Sequence, residues 1–254
     1  MKRQFIPWND ESMPLSKSAV QQYGKCPHRF REQFVLGKQG STPIMEKGRK
    51  IHDQLDNLYR DINRDYIMFS RDVGVLVEEY QAVLPDIPEM HKFLELEIKR
   101  FEDLRSKNSL KCFFPKFTEV YMEDKELFYF GTVDRVDKME DGNYIVIDYK
   151  TGKFHSWLMT DYRFEMAGYK HLLEKTTVDG NVTRWAMIFL GGDEAKVVGE
   201  TFKPITIRSF YNRVSRVRDG ILAGLFDKKI TVLCGYCPEV ISDPCLSGNE
   251  KGVE

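Results

Sequence analysis

A chain of 254 residues with 42% hydrophobic and 13% aromatic content can bury a real core, which excludes an intrinsically disordered protein. The formal net charge of -1 neither demands nor excludes nucleic acid: a protein that coats DNA is usually strongly basic, whereas an enzyme can confine positive charge to one groove. No apolar run reaches the roughly 18 residues of a membrane span, and no apolar stretch follows the basic start at Lys2-Arg3, so the expectation is a cytoplasmic protein with no membrane partner.

Residues 15–36 carry helix signals, with Ser16 or Ser18 as N-cap and Val20, Tyr23, Phe30 and Phe34 on one face, interrupted at Cys26-Pro27. A Gly- and Pro-containing break at 37–43 precedes a second helix at 44–62, where Ile44, Ile51, Leu55, Leu58 and Ile62 recur at helical spacing and where His52 lies. Residues 63–112 read as an inserted, charged helical layer broken at Pro85 and Pro88, without a chemical motif of its own. The period then changes to two. Segments 116–122, 127–136 and 143–149 predict a three-strand meander, with a turn at Asp141-Gly142-Asn143. Residues 157–175 return to helix, with Trp157, Leu158, Phe164, Tyr169 and Leu172 as expected packing positions. Strands near 183–190 and 195–202 and a helix at 205–226 follow. This order predicts an α/β fold, a mixed central sheet flanked by helices.

The segment Tyr144-Ile-Val-Ile-Asp148-Tyr-Lys150-Thr-Gly152 is an apolar strand ending in two charged residues, and a period of two sends Asp148 and Lys150 to the same face. The preceding strand carries Gly131-Thr-Val-Asp134-Arg-Val-Asp137. Pairing through the turn at 141–143 places Asp134 nearly opposite Asp148, and two carboxylates converging at a sheet end suit a hard cation such as Mg²⁺ or Mn²⁺. An acidic residue two places before a lysine is a weak signal alone, since Glu97/Lys99, Glu123/Lys125, Glu194/Lys196 and Asp227/Lys229 share it. The apolar run, the second aspartate and Thr151-Gly152 distinguish this copy. Glu119, on the first strand, reads either as a further ligand or as a solvated carboxylate.

Gly48-Arg-Lys-Ile-His52, the Gly131–Asp137 segment and Asp148-Tyr-Lys150-Thr-Gly152 together resemble, in order and near spacing, the RecB-like branch of the PD-(D/E)XK nuclease superfamily. The resemblance implies a restriction-endonuclease-like core within one nuclease domain spanning 1–254, with an N-terminal helical region. It implies that His52, Asp134, Asp148 and the Tyr149 carbonyl hold a divalent metal, and that Lys150 positions the nucleophile or stabilises the phosphorane. On the following helix the family tends to carry a glutamine and a tyrosine four residues apart. Tyr169 fits that pattern as a catalytic residue, and Glu165 departs from it.

Cys234, Cys237 and Cys245 lie close together in a C-terminal segment at 230–245, and thiolates suit zinc or an iron–sulfur cluster. A fourth ligand comes from Cys26 or Cys112. Resemblance to the iron–sulfur-containing CRISPR-associated and AddB-type exonucleases selects Cys26 and implies a [4Fe–4S] cluster, with zinc as the alternative; Cys112 is then an ordinary buried cysteine. The same resemblance implies a DNA exonuclease acting on single-stranded ends in recombination, repair or phage or CRISPR DNA processing, beside a helicase, recombinase or integration-complex partner. The alternatives are a catalytically inactive protein that binds DNA and an endonuclease on the same core. Arg208, Arg213, Arg216 and Arg218 could track a DNA backbone, although a solvated face is the commoner reading. Trp157 could stack on bases, with packing as the default.

Overall fold

The structure, a computed structural model, describes residues 15–37, 43–230, 234, 235, 237 and 245. The rest of the predicted cysteine segment lies outside the described residues. Contacts divide the chain into two compact units. One comprises Met1–Ser41, Glu123–Phe130 and Arg208–Glu254, and the other Thr42–Met122 and Gly131–Ile207.

In the first unit, α1 (Lys17–Lys25) starts at Ser16, whose side chain accepts the Ala19 N–H. The helix ends at Cys26, where the backbone turns extended (φ -158°) ahead of Pro27, a residue that cannot donate to the helix. The chain restarts as α2 (Pro27–Phe30), capped by Cys26 Sγ accepting the Arg29 N–H at 3.4 Å, and runs into a π-helical turn over Arg31–Val35. Rings of Tyr23, Phe30, Phe34 and Phe226 pack together, and Tyr23 Oη donates to the Leu225 carbonyl at 2.6 Å.

The second unit holds α3 (Pro43–Asp61), α4 (Arg64–Ser70), α5 (Val73–Val83) and α6 (Pro88–Ser106), then most of β1 (Phe117–Asp124) and of β2 (Tyr129–Lys138), β3 (Tyr144–Lys150), α7 (Met159–Thr176), β4 (Val182–Phe189), β5 (Lys196–Thr201) and the start of α8 (Pro204–Leu222). The sheet runs β1-β2-β3-β4-β5. β3 pairs antiparallel with β2 and parallel with β4, so α7 is the crossover that returns the chain beside β3. The expected mixed α/β sheet is thus present.

One core joins α3, α4, α5 and α6 to a sheet face through Leu55, Leu58, Ile67, Leu76, Phe93, Ile147, Tyr149 and Ile188. The 63–112 segment therefore covers the central strands. Its breaks fall at Pro85–Pro88 as expected, and also at Asn63 and Asp72, whose side chains cap α4 and α5. Trp157 corrects the sequence reading: it sits in a 3₁₀ turn (Ser156–Leu158) before α7 and is 74% exposed, so it is not a packing residue. Cys112 is half-buried rather than buried, and burial raises its thiol pKa.

Candidate active site

β2 and β3 pair from Lys138–Tyr144 to Arg135–Ile147, and there the ladder ends. One further step sets Asp134 against Asp148, as the turn at 141–143 predicts. Instead of a backbone partner, the Tyr149 N–H finds Asp134 Oδ2 at 2.7 Å. The two strands part at the point where the acidic residues stand. Both are buried, Asp148 at 2% exposure.

His52 reaches this gap from α3, where Ile51 and Leu55 bury the neighbouring positions of the helix. Its Nδ1 lies 3.1 Å from Asp134 Oδ1. A carboxylate oxygen of Glu119 joins them, the three ligand atoms all lying within 4.8 Å of one another. Glu119 therefore stands with the candidate ligands. It adopts φ 48° inside β1, a left-handed conformation that costs a non-glycine residue energy and is characteristic of functional sites. It also breaks the strand's alternation, so the period-two reading could not settle where this side chain lies.

The electrostatics follow from crowding acids into a dry place. Burial raises the Glu119 pKa to about 7, and the Asp134 charge adds to it. Burial likewise pushes Asp148 up, countered by Lys150 and reinforced by Asp134 and Glu165. For His52, burial works against the charged form, yet the hydrogen bond and charge of Asp134, with Asp148 and Glu119, outweigh it and raise the pKa to about 9. Burial raises the two acids, and neighbouring negative charge adds to the rise in all three groups. An imidazole and two carboxylates with ligand atoms this close are the donor set of a divalent cation, so His52, Glu119 and Asp134 fit Mg²⁺ or Mn²⁺.

Lys150 Nζ lies 2.6 Å from Asp148 Oδ2 in an ion pair and donates to Glu165 Oε1 at 3.1 Å. Burial opposes its charge, but Asp148 and Glu165 win and hold the ammonium protonated. Glu165, the departure from the family pattern, is thus the second anchor of the lysine. Tyr169, one turn along α7, is 9% exposed, with its ring close against Gly131: a Cβ on that glycine would lie 3.0 Å from Tyr169 Cε1.

Sequence reasoning missed what stands on the other face of the same strands. A period of two sends Arg135, Asp137 and Tyr149 away from Asp134 and Asp148, toward the helical layer. Arg135 is fully buried. It donates to Asp137 at 2.8 and 2.9 Å, to Glu97 at 3.1 Å, to Tyr149 Oη at 3.2 Å, and to Tyr59 Oη. Arg100 donates to Glu97 at 3.2 Å and to Asp137 at 2.8 Å. The network touches residues adjacent to every central position: Arg135 follows Asp134, Tyr149 separates Asp148 from Lys150, and Tyr59 lies two turns after His52 on α3. The available signal was a pair of charged residues, Arg135 and Asp137, on a strand face that is otherwise apolar.

In the first unit, Cys26, Cys234, Cys237 and Cys245 are all half-buried thiols outside any disulfide. Burial raises the Cys237 thiol pKa, Arg29 lowers it, and the charges of Cys245, Cys26 and Cys234 raise it further, so the four sulfurs share one neighbourhood. Four cysteine thiols are, by donor type, suited to an iron–sulfur centre or to zinc. On α8, Arg208 and Arg216 are exposed, Arg213 is half-buried and Arg218 pairs with Asp219 at 3.0 Å, which leaves no continuous basic face of four arginines. Among the described residues no helix is long and apolar enough to cross a membrane.

The sequence profile of the PD-(D/E)XK nuclease superfamily matches residues 14–240. The chain is 28% identical over 182 residues to one of the subunits of the ATP-dependent helicase/deoxyribonuclease of Clostridioides difficile (strain 630). That alignment covers 56% of this chain and 16% of the relative, so the chain spans about a sixth of the relative's length. A solved structure from Eubacterium rectale, described as a candidate exonuclease, superposes with a TM-score of 0.45 at 12% identity, covering 89% of this chain and 92% of that one.

Proposed function

The chain belongs to the PD-(D/E)XK nuclease superfamily, and on that premise we propose that it is a metal-dependent DNA exonuclease acting on single-stranded ends. The observation that carries the reading is the convergence of His52, Asp134, Asp148 and Lys150 where β2 and β3 part. His52, Asp134, Asp148 and the Tyr149 carbonyl would hold a divalent ion, with Glu119 as a further carboxylate. When bound, such an ion lowers the pKa of a water and neutralises charge that develops on a phosphate.

The chain's own residues do the rest. Lys150 keeps a proton, so it meets an attacked phosphate as a cation and stabilises the negative charge that grows there. Glu165 holds that ammonium at 3.1 Å, which fixes its direction whether or not Asp148 is engaged elsewhere. Burial of Asp148 and Asp134 excludes water from the carboxylates and strengthens each of these interactions.

The cysteines fit the same proposal. Cys26, Cys234, Cys237 and Cys245 would hold a [4Fe–4S] cluster closing a loop of about 200 residues, a long-range staple with a large effect on the unfolded chain. Protein purified without oxygen should then show a broad visible absorbance band that Cys26→Ala removes; a colourless protein carrying one zinc decides for the alternative. A helicase partner is supported by the Clostridioides difficile relative, whose name joins a helicase to a deoxyribonuclease.

End-labelled single-stranded, double-stranded and circular single-stranded DNA, each incubated with Mg²⁺ or Mn²⁺, test the activity. Stepwise loss from linear single strands is the expected result. Cutting of circles identifies an endonuclease. DNA binding without cleavage by either ion identifies an inactive DNA-binding protein, and the proposal falls.

A further inference from the structure

We propose that His155 and Trp157 form a stacking platform for an unpaired nucleobase of the DNA strand that enters the site. The proposal rests on the nuclease reading above and adds a binding subsite to it.

Trp157 is 74% exposed, although a ring of its size ordinarily buries most of its surface. It is not alone. The half-buried His155 ring lies 4.3 Å from it, tilted by 31°, so the imidazole backs the exposed indole. The turn that displays them is anchored from below. Phe154 packs on Phe189 at 5.3 Å and Tyr162 at 6.3 Å, Lys196 Nζ sits 4.2 Å over the Phe154 ring, and the Leu158 N–H closes the turn on the His155 carbonyl at 3.0 Å. An exposed indole backed by a half-buried imidazole on a held turn loses little conformational entropy on binding a flat ligand, whereas the same rings on a loose loop would lose more.

Position ties the platform to the chemistry. The turn lies in the short connection that leaves β3 just after Lys150 and enters α7, the helix that carries Glu165. Trp157 precedes Glu165 by eight residues, about 12 Å at a helical rise of about 1.5 Å per residue, and Glu165 touches Lys150 at 3.1 Å. The rings thus stand on the connection that joins the strand of Lys150 to the helix of Glu165. Lys153, exposed on the same connection, offers a cation to the backbone of the strand.

The ligand must be unpaired. In a duplex the base faces are stacked on one another and only their edges reach the grooves, so no protein ring can lie on them. A single strand exposes its base faces, and aromatic stacking is how proteins bind it without reading sequence.

The test is equilibrium binding of the full chain to a labelled oligothymidylate and to a blunt duplex, in EDTA so that nothing is cut. Trp157→Ala should weaken single-strand binding roughly 5- to 150-fold, the span that stacking on one base implies. Trp157→Phe should recover most of the loss, and the duplex should bind all three proteins alike. Because Trp157 is exposed, none of these changes threatens the fold. Unchanged single-strand affinity in Trp157→Ala, an equal loss for the duplex, or no binding of the single strand by the native chain would each overturn the proposal. Failure of the nuclease reading stays separable: a native chain that cuts nothing but binds single strands in a Trp157-dependent way removes the activity and leaves the platform.

Discussion

At the scale of single residues, Asp148 and Lys150 sit side by side and carry different tasks, which a pair of substitutions separates. Asp148→Ala removes a buried carboxylate while Glu165 still holds the lysine, so the fold should persist. Mn²⁺ binding measured by calorimetry and cleavage should both be lost; retained cleavage would mean the active site lies elsewhere. Lys150→Met should keep Mn²⁺ binding and lose roughly a hundred- to thousandfold in kcat, the size of one missing charge-stabilising donor. Equal loss of ion binding in the lysine variant would show that its role is structural. These two residues, His52 and Asp134 were legible because strand period, turn position and motif order all converge on them. The acidic residue two places before a lysine was less informative. The Glu97/Lys99 copy looks like noise, yet Glu97 is the buried counter-ion of Arg135. Spacing along the chain cannot distinguish a carboxylate facing a catalytic gap from one facing a guanidinium in the core, because only the fold decides which face is which. Glu119 was ambiguous for a related reason, its left-handed backbone departing from the period on which the reading depended.

At the scale of elements, β3 is a strand with two polar purposes, one on each face. Asp148 and Lys150 serve the candidate site, while Tyr149 locks the same backbone to Arg135 at 3.2 Å. Tyr149→Phe removes only the hydroxyl and leaves the backbone carbonyl and N–H in place. If the network holds β3 in register with the site, this variant should need several-fold more Mn²⁺ for half-saturation, with the KM for DNA unchanged. A lower melting temperature with unaltered Mn²⁺ affinity would assign the hydroxyl to stability alone. Arg135→Met is harsher, since it leaves Glu97 and Asp137 buried with Arg100 as their only guanidinium. Breaking such a network costs about 3–5 kcal/mol, readable by urea unfolding. Element order was largely legible, because helices and strands here keep clean periods and end at Pro or Asx signals. The splitting of 63–112 into three helices was not, although Asn63 and Asp72 supplied cap signals, because the charged helical pattern on either side of them reads as one layer. Nor was the turn that exposes Trp157, where helical spacing alone suggested a buried ring.

At the scale of the whole molecule, the candidate site should make folding stability depend on pH in a direction opposite to ordinary ion pairs. Glu119 has a folded pKa of about 7 against 4.5 unperturbed, and His52 about 9 against 6.5. Asp148 shifts in the same upward direction. A raised pKa means the folded state binds the proton more tightly. Its contribution is complete below the unfolded value and is lost as pH rises through the folded one. In EDTA the protein should therefore lose stability steadily between about pH 5 and pH 9, the Glu119 share disappearing first and the His52 share last. The salt-bridged carboxylates elsewhere do not mask this. Glu89 and Glu200 have lowered values, so their contribution is already complete at the acid end of that window. A divalent ion competes with those protons for the same lone pairs, and ion binding releases them. Excess Mn²⁺ should thus raise the melting temperature little at the acid end and progressively more toward neutral and alkaline pH, flattening the profile. Thermal melts across the window, with EDTA and with Mn²⁺, read both curves. A melting temperature that climbs with pH in EDTA, or a Mn²⁺ effect that is the same at every pH, would mean that His52, Glu119 and Asp148 do not share one cation.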